Sequence, residues 1–290
     1  MEQESCRFGG GSGMVGGQAR AMPGQPHAGQ LLITMDDLDT MSEETMEGSN
    51  CTSGDGVDNA GGPMDNGSNE GMEDRLFNYW EDIARTHQVV LPREMAQPIQ
   101  QMTMNNDPET RELNPYTVIQ RNETGDGHMP VEEREYPAGW WACVTTKEDT
   151  YEQSICYAFM KIMRYICREN STGSYLGMTI PIVTTVQVDE ATGTLFHHVV
   201  VGYRLPLHLQ GQPPTPLDPT VTIEERPAIR VYTREFSGAT NETTIMRQVN
   251  ELAQILCHSE LYNTETHFIA GYNNPAAANR RNEIWFIRRI

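Results

Sequence analysis

Lysine is nearly missing: only Lys147 and Lys161 occur in 290 residues, and nowhere do basic side chains gather into a cluster. With a formal net charge of -19, such a surface repels phosphate backbones and anionic headgroups, so neither nucleic acid nor a membrane is an expected partner. There is no run of 18 apolar residues and no continuous apolar core in the first 30, so neither a membrane-spanning helix nor a secretory signal is expected. The six cysteines, Cys6, Cys51, Cys143, Cys156, Cys167 and Cys257, contain no C-x-x-C pair, which argues against a zinc site and for free thiols in a reducing compartment. A cytoplasmic location, with the nucleus accessible, is the expectation. Catalytic motifs are missing too. GGGSGMVGG near the start has no strand before it and no helix after it, so it is no phosphate loop. Cys257 and His258 are neighbours that diverge by about 100° on a helix, with no third group to orient them. No enzyme is expected.

The acidity that is present belongs to the front of the chain. Residues 1 to 72 carry 12 acids against 2 bases, residues 73 to 127 carry 10 against 5, and residues 128 to 290 carry 18 against 14. Residues 1 to 72 are rich in Gly, Met, Ser, Asp and Asn and bury too little apolar surface to offset about 1 to 2 kcal/mol of backbone entropy per residue, so a disordered acidic leader is expected. Within it, LLITMDDLDTMSEE from Leu31 reads either as a sticky patch or as a short motif that folds on a protein partner. Residues 73 to 114 form an amphipathic helix and a connection. EDRLFNYWEDIARTH places Leu76, Trp80, Ile83 and Ala84 on one face, ending near His87; this face either packs on the following domain or recruits a partner. LPREMAQPIQQMTMNNDPETREL reads as a mostly irregular connection, and a folded domain over 115 to 290 follows.

That domain repeats itself. EER at Glu132 returns at Glu224, each time followed by an apolar run and then a helix. The first helix opens on Thr150 and Gln153, a capping box, and carries Ile155, Phe159, Ile162 and Ile166 on one face. The second, capped by Thr240 or Asn241, carries Ile245, Val249, Leu252 and Leu256, the same four offsets shifted by 90. Each is followed by a proline-bearing stretch, MTIPIVTTV or HFIAGYNNP, and by a closing strand, HHVVVGYRL or NEIWFIRRI. Pro181 predicts an edge or a bulge in its strand. Two half-repeats, about 115 to 205 and 221 to 290, joined by the proline-rich loop from Leu205 to Thr220, give an α+β fold: a largely antiparallel sheet under two helices. The glutamates and arginine of EER alternate along strands and are expected to pair across them. Trp140, Trp141 and Trp285 read as core or cleft walls, or as ligand-stacking surfaces.

EEREYPAGWW, MTIPIV, PPTPLDPTVTIEERPAIRVYTREFSG, AGYNNP and RRNEIWFIRR together resemble the SOUL/heme-binding-protein family, from about Pro115 to Ile290. The resemblance implies a distorted eight- or nine-stranded antiparallel barrel with two helices, built from a duplicated half that also occurs in bacterial effector-binding modules. It implies non-covalent binding of heme or a free porphyrin, as a carrier, buffer or sensor. Some members place a proposed iron-ligating histidine where this chain has Glu135. The other mode in the family is an apolar groove beside the first helix with basic side chains on the propionates. Carried over, this implicates Phe159, Met160, Lys161, Met163 and Arg164 on the helix, and Arg280 and Arg281 before the last strand. Lys161 and Arg164 read equally as an ordinary solvated face, and His197 and His198 as solvated histidines or, secondarily, as axial ligands. The alternative function is a protein-interaction adaptor using the leader and the helix from Glu73, with heme binding weak or lost.

Overall fold

The computed structural model describes residues 67–105, 110–122, 130–189, 191–272 and 281–289. The acidic leader up to residue 66, its 31–44 motif and Arg280 lie outside the described residues. The elements run α1 (Gly67–Thr86), a 3-10 turn (Arg93–Met95), α2 (Ala96–Met104), β1 (Glu112–Leu113), β2 (Thr117–Asn122), β3 (Val131–Tyr136), β4 (Gly139–Lys147) and α3 (Tyr151–Cys167). They continue with β5 (Thr179–Ile180), β6 (Ile182–Asp189), β7 (Thr194–Leu195), β8 (His198–Arg204), β9 (Val221–Arg226), β10 (Ile229–Phe236), α4 (Glu242–Leu256), β11 (Tyr262–Gly271) and β12 (Asn282–Arg288). Helix α3 starts where its capping box is written: the Gln153 amide donates to Thr150 Oγ1 while the Thr150 amide donates to the Gln153 side chain. Helix α4 starts at Asn241, whose side chain accepts from the Thr244 amide.

One antiparallel sheet follows the order β2-β3-β10-β12-β11-β6-β8-β4-β9, with β7 beside β6, while β1 and β5 form a small parallel pair. The pairing pattern is two-fold in sequence. Tyr136 faces Ile229 across β3 and β10, and Arg226 faces Gly139 across β9 and β4, so both strands of the second pair match those of the first at a shift of 90. Each first strand therefore caps the sheet of the opposite half. This register corrects the EER anchor. A shift of 90 matches Val131 with Val221 and Arg134 with Glu224, whereas the two EER triplets lie 92 apart. A slip of two keeps every side chain on its face, so both arginines still point the same way. Pro181 is not on an edge strand either. It lies in the break between β5 and β6, the latter an interior strand between β11 and β8, and so removes no ladder bond.

Alternation along the strands sorts two layers. Ala142, Val144, Val201, Tyr203 and Val221 face α3, and Val186, Ile269, Ile284 and Phe286 face α4. The opposite face gathers Tyr136, Trp141, Cys143, Val231, Ala270 and Trp285 from both halves into one cluster, with Tyr136 stacked on Trp285 at 4.5 Å. A single fully buried carboxylate, Glu283 on β12, organises that face. It accepts from Arg134 Nη1 at 3.0 Å, Arg281 Nη2 at 3.0 Å, Tyr272 Oη at 2.9 Å and Trp285 Nε1 at 2.7 Å. Arg134 also donates to Glu132 at 2.7 Å and Arg226 lies near Glu224, both within one strand, while the pairing expected across strands is made by Glu132 with Arg121, by Glu133 with Arg288 and by Arg134 with Glu283. Burial opposes the charge on Arg134, but the Glu283 carboxylate more than offsets it and holds the guanidinium protonated.

The stretch read as an irregular connection is largely helical. Pro98 stands in the first turn of α2, where its missing N–H costs nothing, so it starts a helix and does not break one. The loop of 205–220 joins β8 to β9 and is tied to the end of α3, since the Tyr165 hydroxyl donates to the Pro214 carbonyl at 2.8 Å.

Two stability measurements probe this frame. Glu283→Gln removes the fully buried one of the two carboxylates that hold the Arg134 guanidinium, leaving Glu132, and thermal or urea unfolding is expected to show a loss of about 3 kcal/mol, the lower end for a broken buried pair. Pairing it with Arg134→Met should recover part of that loss. His267, 1 % exposed on β11, stacks on Phe286 at 4.1 Å, and the polar contact of its ring among the described residues is a weak one to the Thr264 backbone. Burial pulls its pKa from 6.5 down to about 4. The folded state thus holds His267 neutral, so its contribution is full above about pH 6.5 and lost as pH falls from 6.5 towards 4, up to about 3 kcal/mol. His267→Phe should flatten that part of the pH–stability curve, and an unchanged slope would place the pH dependence on other groups.

Candidate functional site

Helix α3 is apolar on two sides. One side, with Ile155, Phe159, Ile162 and Ile166, meets the sheet; the other, with Cys156, Met160, Met163 and Cys167, faces away from it. An outward apolar strip on a surface helix calls for a cover. Here α1 packs on α2 and α2 packs on α3, so that Leu76, Trp80, Ile83, Met95, Ile99 and Met102 share one core with Met160 and Met163. The face expected on α1 is buried as the packing alternative required, with Trp80 at 0 % exposure. Along α3 the crossing is marked by three polar contacts. The Val90 amide meets the Tyr157 hydroxyl at 3.4 Å, Glu94 meets Arg164 at 3.7 Å, and the Cys167 thiol meets the Pro98 carbonyl at 3.5 Å. The groove expected beside this helix is therefore closed over its apolar length: Phe159, Met160 and Met163 are 4 %, 5 % and 1 % exposed.

It stays open at the C-terminal end of α3. A cleft of about 720 Å³ lies between that end and α2, lined by Arg164, Arg168, Cys167 and Glu169 on one side, by Glu94, Gln97, Gln101 and Met104 on the other, and rimmed by Leu217. Arg164 Nε donates to Glu169 at 2.8 Å, which aims the guanidinium along the cleft wall. Arg168 is exposed and makes no side-chain hydrogen bond or ion pair among the described residues. Burial pushes the Cys167 thiol up to about 12, so it is no thiolate near neutral pH. Lys161 is half-buried beside this surface. Burial alone would raise the Asp218 carboxyl, but hydrogen bonds from Thr220 with the charges of Lys161 and Arg164 hold it below its ordinary value.

Arg281 is elsewhere. It is held by Glu235 at 3.0 Å and Glu283 at 3.0 Å on the face away from the helices, because the buried Glu283 carboxylate needs donors there. Arg164 and Arg281 are thus not brought together. Glu135 is paired with Arg230 at 2.6 Å beside a smaller cleft of about 350 Å³ that also holds Arg288 and Arg289. His197 is half-buried, its carbonyl accepting from Ser154 Oγ at 2.7 Å, and His198 is exposed at the start of β8. Neither lines the cleft at α3. The residues that sequence reasoning missed are Arg168, Glu283 and His267. Arg168 follows Arg164 by one helical turn, a signal that was available; a glutamate alternating with apolar residues in NEIWF was another.

These features sit in a chain with known relatives. The family model described as SOUL heme-binding protein matches residues 111–287. Heme-binding protein 1 of Bos taurus is 31% identical over 175 residues, which cover 60% of this chain and 90% of that protein. Heme-binding protein 2 of Homo sapiens is 29% identical over 159 residues, covering 54% of this chain and 77% of that protein. Among solved structures, the EcmrR C-terminal domain aligns with 55% of this chain and 96% of its own, at 14% identity and a TM-score of 0.38. With a strand order two-fold in sequence, two helices on one face of the sheet and a family match over more than half its length, the chain belongs to the SOUL heme-binding protein family.

Proposed function

We propose that this protein binds heme or a free porphyrin non-covalently along the outer face of α3, with the ligand carboxylates at Arg164 and Arg168. The observation that carries the reading is the cleft of about 720 Å³ that ends the methionine-lined strip with two arginines one turn apart. Its size falls in the range of about 300 to 1,000 Å³ common for ligand clefts. Arginine fits a carboxylate with two parallel donors, and methionine sulfurs offer a polarizable bed for a flat aromatic ring. The residues fit the organic part of the ligand better than its metal. The cleft lining contains no histidine, and its one cysteine is a neutral thiol. Binding then rests on apolar contact and carboxylate pairing, with carriage or buffering as the role such a site suits. Burial of the apolar face of α1 on its own domain favours the binding reading over the adaptor reading.

Titration of the full chain with hemin, followed by the Soret band, and with metal-free protoporphyrin, followed by fluorescence, checks this. Both are expected to saturate in the micromolar range with affinities within about tenfold of each other, since 1.4 kcal/mol is tenfold and iron adds no ligand bond. Arg164→Ala with Arg168→Ala is expected to weaken both by about tenfold, the combined worth of two part-exposed carboxylate pairs. Unchanged affinity in that variant would move the site off α3. Hemin binding far tighter than protoporphyrin would require an iron ligand that this face does not supply.

A further inference from the structure

The residues that cover α3 lie outside the part of the chain that the family model matches, which begins at residue 111. The sheet and both of its helices are complete without α1 and α2. What joins cover to domain is rich in apolar side chains from both sides. The contacts that Val90, Pro98 and Glu94 make with α3, at 3.4, 3.5 and 3.7 Å, are long. Methionines stand on both sides, Met95 and Met102 against Met160 and Met163. Such surfaces repack readily and suit occupants that exchange. The Trp80 indole N–H, buried in the cover, has no hydrogen-bond partner among the described residues, so the cover is not optimised as a permanent core. Among the described residues the two-fold counterpart of α3 carries no cover. At a shift of 90, Met160, Lys161 and Arg164 correspond to Asn250, Glu251 and Gln254 of α4, which line an open cleft of about 550 Å³.

We propose that α1 and α2 are an exchangeable occupant of the α3 face: they and a flat apolar ligand compete for Met160 and Met163, and the cleft at Arg164 and Arg168 is where displacement starts. This rests on the function proposed above, and it makes the chain's own front segment the regulator of that site. With Met160 and Met163 closed to solvent, a planar ligand reaches its full seat only as the helical pair leaves. The apparent affinity of the intact chain is then reduced by the fraction of molecules that are open.

Hydrogen exchange on the full chain, with and without protoporphyrin, reads the competition directly. Ligand is expected to speed exchange in residues 76–102 while slowing it in α3; slowed exchange in both would make α2 a fixed wall of the site and overturn the proposal. A second measurement uses Trp80→Ala with Ile99→Ala, which loosens the cover without touching α3. This variant is expected to bind protoporphyrin about tenfold more tightly than the parent, with exchange in β4, β8 and β12 unchanged. Binding that is equal in parent and variant overturns the cover and leaves the proposed function standing. Binding by the variant alone supports the cover most strongly. Absence of binding in both removes the proposed function and the cover with it.

Discussion

The Glu283 carboxylate is the constraint on which the rest of the sheet depends. It is fully buried on β12, and four donors converge on it from β3, β12 and the approaches to β12. A buried charge is tolerated only when its partners are in place, so this residue fixes where Arg134 and Arg281 point and, through Arg134, how β3 lies across the second half. Because β3 belongs in sequence to the first half and pairs with β10 of the second, the network ties the two halves together. The aromatic face formed by Tyr136, Trp285 and Tyr272 is built around the same charge. That is why Arg281 serves the frame and is not offered to a ligand.

With the inner face committed to structure, chemistry is left to the outer side of the helices, and there the two-fold pattern breaks. Helix α4 turns Asn250 and Gln254 to solvent and commits Glu251 to Arg234, and nothing among the described residues lies over it. Helix α3 turns Met160 and Met163 outwards and is buried on nearly every side, by the sheet below and by α2 above. The charged end of α3, with Arg164 and Arg168, escapes this cover and stays in contact with water. At that end Arg164 is shared with Glu94 and Glu169, while Arg168 makes no ion pair among the described residues and is the arginine open to a ligand carboxylate.

Much of the frame was legible because it rests on local patterns. The capping residues Thr150 and Asn241 stand where the helices begin, and the four apolar offsets of each helix face the sheet. The shift of 90 between those helices is also the shift of the strand registers. The EER triplets misled by two residues, since an even slip is invisible to alternation. Pro181 misled because a proline in the break between two strands and one within an edge strand look alike in sequence.

The candidate site divides along the same line. Local spacing placed Lys161, Arg164, Met160 and Met163 on α3, and the periodicity of Leu76, Trp80 and Ile83 marked α1 as a helix with one buried face. What that face is buried against is a contact between segments some eighty residues apart in the chain, and no local pattern encodes such a pairing. The same holds for Arg281, whose partner two residues away is a buried carboxylate only because a sheet covers it. By itself the sequence determined the elements, their faces and the two-fold order, because propensity, capping and alternation act over a few residues. Only the tertiary structure decided that one helix is covered and its counterpart open, because burial depends on what the rest of the chain brings to that surface.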